Sequence, residues 1–160
     1  MEVQQKVTAI SHDLDVAKIT VVGVPDRPGI AAGIFEPLAQ AGISVDTIVQ
    51  NASIQHITDL TFTVTKGDAE RALKVVRPIA EGIGARECAA DTKLGKISII
   101  GSGMQNTPGY AARMFSTLSA AGINIQLITT SEIRITVIIK EEQVREAVQV
   151  LHKAFELNKA

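Results

Sequence analysis

Aromatic residues are nearly missing from this 160-residue chain, which has four phenylalanines, one tyrosine and no tryptophan. It therefore lacks the aromatic platform on which a protein stacks nucleic-acid bases. Charge of either sign is not in excess: 16 Lys+Arg face 17 Asp+Glu, a formal net charge of −1. That balance gives no general attraction to nucleic acid or to an anionic membrane. Cysteine occurs once, at Cys88, which excludes an intrachain disulfide and a CxxC metal site. No apolar run approaches the roughly 20 residues of a membrane span. The first twenty residues have neither the basic nor the apolar region of a signal peptide. These absences predict a soluble, cytoplasmic protein. What is present, 46% hydrophobic and 21% charged residues, suits a globular chain with a real core.

The chain repeats itself. At an offset of 80, residues 19–48 face residues 99–128 with twelve identities in thirty. Pro28-Gly29-Ile30-Ala31-Ala32-Gly33-Ile34-Phe35 is set against Pro108-Gly109-Tyr110-Ala111-Ala112-Arg113-Met114-Phe115, and Ala41-Gly42-Ile43 against Ala121-Gly122-Ile123. Self-similarity of this kind marks a duplicated domain. Each copy reads as strand, helix, strand, strand, helix. Strands are predicted at 19–24, 44–50 and 60–65, then at 96–101, 124–129 and 133–140. Helices are predicted to begin at Pro28 and Pro108, where proline gives up an amide that has no partner anyway, with further helices at 68–81 and 141–155. Gly42 and Gly122 are placed as left-handed helix caps. Pro37 inside the first helix conflicts with helical propensity, and the repeat overrules it.

Copy one has an extra strand at 85–90, whereas copy two ends just after its helix. A strand-like piece at 5–11 precedes copy one, and an unfilled sheet position attracts a partner. The expectation is two ferredoxin-like βαββαβ units of the α+β class, the second completed by the N-terminal strand. Domain one then covers 17–92 and is inserted into domain two, made of 5–11 plus 93–157.

No catalytic or metal site is legible. His12, His56 and His152 stand apart from any partner set for a triad or a metal, and Cys88 reads as a small core residue. Gly101-Ser102-Gly103 lacks the third glycine of a dinucleotide loop, since Asn106 stands there. The better candidate is Asp26-Arg27-Pro28-Gly29-Ile30-Ala31. It sets a carboxylate before a helix whose first amides can receive an anion, and together these suit an α-amino acid zwitterion. The plain alternative is that Asp26 caps the helix. Gln50-Asn51 at a strand end and its counterpart Thr130-Ser131-Glu132 add polar groups to each site.

Gly23-Val24-Pro25-Asp26-Arg27-Pro28-Gly29-Ile30-Ala31 resembles the start of an ACT domain, an amino-acid-sensing module. Residues 5–157 resemble the tandem ACT region of aspartokinase. The match is carried by Gln50-Asn51, by Gly95-Lys96-Ile97-Ser98-Ile99-Ile100-Gly101-Ser102-Gly103-Met104 and by Ile128-Thr129-Thr130-Ser131-Glu132-Ile133-Arg134-Ile135. The length and initial methionine resemble the separate small β subunit of two-subunit aspartokinases; an excised regulatory region fits as well. The resemblance implies a chain without catalytic residues or cofactor of its own, with ATP and Mg on a catalytic subunit that phosphorylates aspartate. It implies feedback inhibition by threonine, lysine or both, in a homodimer whose ACT domains pair side by side with effectors at the seam. By position, a threonine-type site would use Asp26, Arg27, Pro28, Gly29, Ile30, Ala31 and Gln50, faced by Asn124 and Ile125 of the partner. A lysine-type site would use Thr107, Pro108, Gly109, Ala111, Ser131 and Glu132, faced by Asp46 and Ser53. Ala111 stands where a lysine-responsive relative has threonine, so that site loses a hydroxyl. Two alternatives remain open: a free-standing ACT sensor acting on another enzyme, and a dimerisation module with empty seams.

Overall fold

A computed structural model describes residues 7–50, 55–104 and 107–157. The chain divides into two compact units, Asp15–Thr92 and Lys93–Ala160 together with Met1–Leu14. The elements run β1 (Val7–Pro25), α1 (Ile30–Gln40), β2 (Ile48–Gln50), β3 (Ile57–Val64), α2 (Ala69–Gly82), β4 (Glu87–Gly101), α3 (Tyr110–Ala120), β5 (Leu127–Thr130), β6 (Arg134–Lys140) and α4 (Val144–Ala154).

In the first unit the strand order is β2-β3-β1-β4, and in the second β5-β6-β4-β1. Read within each unit, both are the order of a ferredoxin-like sheet, with the last strand of the second supplied by the N-terminal part of β1. Val7 is buried in the second unit's core, and the Thr8 hydroxyl donates to Ile100 O at 3.3 Å.

The hydrophobic pattern explains the packing. In β3, Leu60, Phe62 and Val64 alternate inward. They meet Ile19 and Val21 of β1 and Ile34 and Leu38 of α1, and Phe35 packs edge-on against Phe62 at 5.3 Å. The second unit repeats this with Ile97, Ile99, Val137 and Ile139 against Met114, Leu118, Leu151 and Phe155. There the Arg113 guanidinium lies 5.2 Å over the Phe155 ring, a cation–π contact. Pro37 lies inside α1, so the packed face outweighs its helix penalty. Helices α1 and α3 end as expected, with Gly42 and Gly122 left-handed. Ile43 N donates to Leu38 O and Ile123 N to Leu118 O, closing the helix ends. Among the described residues no helix is long and apolar enough to cross a membrane.

Three expectations need correction. The strands predicted at 5–11 and 19–24 are parts of one strand, Val7–Pro25, and those at 85–90 and 96–101 belong to Glu87–Gly101. The mostly polar stretch His12-Asp13-Leu14-Asp15, with its one leucine exposed, breaks the apolar alternation but not the backbone pairing that defines a strand. The predicted strands 44–50 and 124–129 shorten to Ile48–Gln50 and Leu127–Thr130. Before β2, both Asp46 N and Thr47 O bond to the backbone of Thr63, which is not a regular ladder. The helices predicted from Pro28 and Pro108 begin two residues later, at Ile30 and Tyr110, because Gly29 and Gly109 turn left-handed first.

Candidate functional site

The ends of the strands set where chemistry converges. Strands β1 and β2 both run antiparallel to β3, so Pro25 and Gln50 finish at the same end of the sheet, where β3 begins. Likewise β4 and β5 run antiparallel to β6, which brings Gly101 and Thr130 to one end in the second unit. Each α-helix following β1 or β4 starts at that end.

The helix starts are built on glycine for a backbone reason. Gly29 has φ +90° and Gly109 φ +104°, and nothing lies within 4 Å of where a Cβ would stand. The glycines therefore serve the left-handed turn rather than making room beside a crowded backbone. Gly29 is itself the N-cap of α1, without a side-chain capping bond. Asp26 thus does not cap the helix. The first i→i−4 bond of α1 runs from Gly33 N to Gly29 O at 2.9 Å, while Ile30 N reaches Arg27 O at 3.4 Å. Of the amides expected to be open, that of Ile30 is thereby engaged. Among the described residues, the amides of Ala31 and Ala32 have no carbonyl to donate to. Such amides at the positive end of a helix dipole receive an anion.

Asp26 is partly buried and its amide donates to His56 O at 2.8 Å. Arg27, Pro28, Gly29 and Ala31 are exposed around it, and Ile30 is buried. Gln50, exposed, stands at the same end of the sheet, with β3 between its strand and β1.

In the second unit a cavity of about 460 Å³ opens at the matching end. Of the expected residues, Thr107, Gly109, Ala111, Ser131 and Glu132 line it, and Pro108 does not. Met104, Tyr110, Thr130 and Ile135 complete the wall. The sequence reading did not place Met104, Tyr110 or Ile135 there. For Tyr110 a signal existed, since it replaces Ile30 of the first copy, while Ile135 follows from its pairing with Thr130. The cavity combines one carboxylate, four hydroxyl-bearing side chains from Thr107, Tyr110, Thr130 and Ser131, a helix start and an apolar wall. That set can hold an ammonium at one point and a carboxylate at another.

Asn124 and Ile125 precede β5, at the opposite end of their sheet from Ser131, and Asp46 stands correspondingly before β2. No unit brings these residues to its own helix start. Ser53 lies outside the described residues. Among the described residues no group of three or more His, Cys, Asp or Glu is placed to hold a metal ion. Cys88 packs against the first core; burial pushes its thiol pKa up, with Arg77 pulling the other way. It is a packing residue held as the neutral thiol.

ACT-domain models match residues 18–81 and 97–155. The aspartate kinase of Stutzerimonas stutzeri is 46% identical over 155 residues, covering 97% of this chain and 38% of that protein. The chain thus spans about two fifths of the length of the curated relatives it matches. Among solved structures, the ligand-free regulatory subunit of aspartate kinase from Thermus thermophilus superposes with a TM-score of 0.88 at 41% identity, covering 94% of this chain and 99% of that one. A chain from a structure of aspartokinase alpha and beta subunits matches with a TM-score of 0.87 at 44% identity over 94% of this chain and 99% of that one. The chain belongs to the aspartokinase family, as a regulatory region made of two ACT domains.

Proposed function

We propose that this chain is the end-product sensor of a cytoplasmic aspartokinase. It binds L-threonine, and also L-lysine, at seams between the ACT domains of two copies, and thereby inhibits an aspartokinase catalytic subunit. The observation that carries this reading is the cavity in which Glu132, Thr107 and Ser131 gather beside the Gly109-led start of α3. The effector's α-carboxylate takes the helix amides, and Glu132 takes the side-chain ammonium of lysine. Threonine, with no second cation, suits the Asp26 site, where the carboxylate at 26 receives the α-ammonium and Gln50 supplies a donor and an acceptor. Asn124 and Ile125 of a second copy close the threonine site, and Asp46 and Ser53 of a second copy close the lysine site.

The homodimer draws support from the sheet edges. Ile48 on β2 and Ile128 on β5 are 53% and 44% exposed on short edge strands, and an apolar edge tends to find a partner. ATP and Mg belong to the catalytic subunit, and this chain transfers no phosphoryl group itself. Inhibition follows when the effectors bind one arrangement of the paired domains more tightly than the other.

Thermal unfolding of the purified chain against threonine, lysine, methionine, isoleucine and aspartate tests the reading. A ligand at 100 times its Kd stabilises by about 2.7 kcal/mol, so threonine, alone or with lysine, should raise Tm visibly. No shift with either would remove the sensor reading. Glu132→Gln keeps the side chain's size and removes its charge. It should weaken lysine binding about tenfold, the loss of one charge-assisted contact of roughly 1.5 kcal/mol, and leave threonine affinity unchanged. Equal loss for both ligands would take Glu132 out of a lysine-specific role.

A further inference from the structure

Among the described residues only two that are not glycine have a positive φ: Glu156, just beyond α4, and His56, with φ +60°. A histidine there carries a steric penalty that glycine would avoid, and the His56 side chain is exposed, so burial does not account for the conformation. What the conformation does is direct the His56 carbonyl at the amide of Asp26, 2.8 Å away. Three residues on, the Asp59 carboxylate accepts the amide of Gly23 at 3.1 Å. The start of β3 thus holds the exit of β1 at both Gly23 and Asp26. Between Val21 and Val24 the β1–β3 register also slips by one residue, a bulge that re-aims the chain leaving the strand. In the second unit Gly101 N donates to Ile133 O at 2.9 Å, and the link 131–133 between β5 and β6 holds no left-handed non-glycine residue.

We propose that His56 is a positioning residue of the threonine-type site, its left-handed backbone fixing through the Asp26 amide where the Asp26 carboxylate stands relative to the first amides of α1. Strained backbone conformations cluster where a binding geometry must be held, and here the strained residue is bonded to the residue that receives the ligand's ammonium. The inference rests on reading the Asp26 site as the threonine site.

The test is calorimetric titration of the full chain with threonine and with lysine, alongside Tm, for wild type, His56→Asn, His56→Gly and His56→Val. Asparagine tolerates the left-handed region and should bind threonine within twofold of wild type. Glycine removes the strain but frees the carbonyl; Tm should hold or rise while the threonine Kd rises several-fold. Valine disfavours the conformation and should raise the threonine Kd about tenfold with lysine affinity unchanged. A merely structural residue would lower Tm and both affinities together, and glycine would then improve all three. Wild type that binds threonine with all three variants equal to it overturns the positioning role alone. Wild type that binds no threonine overturns the site reading and this role with it.

Discussion

Asp26→Ala is expected to raise the threonine Kd by thirtyfold or more while leaving Tm within a degree or two of wild type. The two halves of that expectation come from different observations. The carboxylate is partly buried and forms no cap on α1, because Gly29 occupies the capping position without a side-chain bond. The structural bond of residue 26 is made by its backbone amide to His56 O, which alanine retains. Substitutions that leave such features intact usually change stability by less than about 0.5 kcal/mol. Binding is another matter. A hydrogen bond to a charged group contributes about 1.5–3 kcal/mol, and an ammonium left in the site without its carboxylate also loses its counter-charge. At 1.4 kcal/mol per decade, a loss of about 2 kcal/mol corresponds to roughly thirtyfold in Kd. Asp26→Asn should fall between the two, since it keeps the shape and removes the charge. Isothermal titration of the folded variants reads this directly. An unchanged threonine Kd in Asp26→Ala would take Asp26 out of the site, whatever the family pattern implies.

The duplication made most of the architecture legible, because residues that recur at a fixed offset must satisfy the same packing twice. Ile34, Phe35 and Leu38 with Met114, Phe115 and Leu118 fixed the core faces of α1 and α3. The missing last strand of copy two pointed to the N-terminal segment, and Val7 lies in the second core. What the pattern could not give was continuity. Residues 12, 13 and 15 are polar, and periodicity reads such stretches as links, although strand pairing is made by backbone groups that every residue carries. The helix starts were misplaced by two residues for a related reason. Proline at a first helical position and proline in the turn before a left-handed glycine look alike in sequence, and only the φ of Gly29 and Gly109 separates them. Among candidate-site residues, Thr130, Ser131 and Glu132 were legible as polar groups at a strand end, whereas Thr107 was assigned to the site only through the resemblance to the ACT family. The apolar wall of that cavity was not legible, since Met104 and Ile135 look in sequence like any other core residues. The role of His56 left no sequence signal, because it lies in the backbone.

The second large effect concerns Gly95, which opens one of the stretches that carry the family resemblance but belongs to neither candidate site. It lies in β4 opposite Ile139, and a Cβ built on it would run into Cγ2 of Val144, with Cδ2 of Leu14 at 3.3 Å behind. Val144 is the first residue of α4 and is 3% exposed. It cannot easily swing aside, since a β-branched side chain in a helix has one strongly preferred rotamer. Gly95→Ala must therefore push α4 off the sheet, and Ala147, Leu151 and Phe155, all fully buried beneath that helix, would loosen with it. Overpacking a well-filled core costs about 1–3 kcal/mol, and a clash with a stiff residue belongs at the upper end. For a chain of this size unfolding as one, about 2.5 kcal/mol lowers Tm by roughly 5–10 °C. The diagnostic is the double variant. Val144→Ala removes the obstructing methyl and on its own destabilises by leaving a void, yet combined with Gly95→Ala it should recover part of the loss. Residues in contact couple by about 0.5–3 kcal/mol, so the double variant should be more stable than the sum of the single effects by about 1 kcal/mol or more. Strict additivity would mean that Gly95 is required for the path of β4 rather than for the space that Val144 fills.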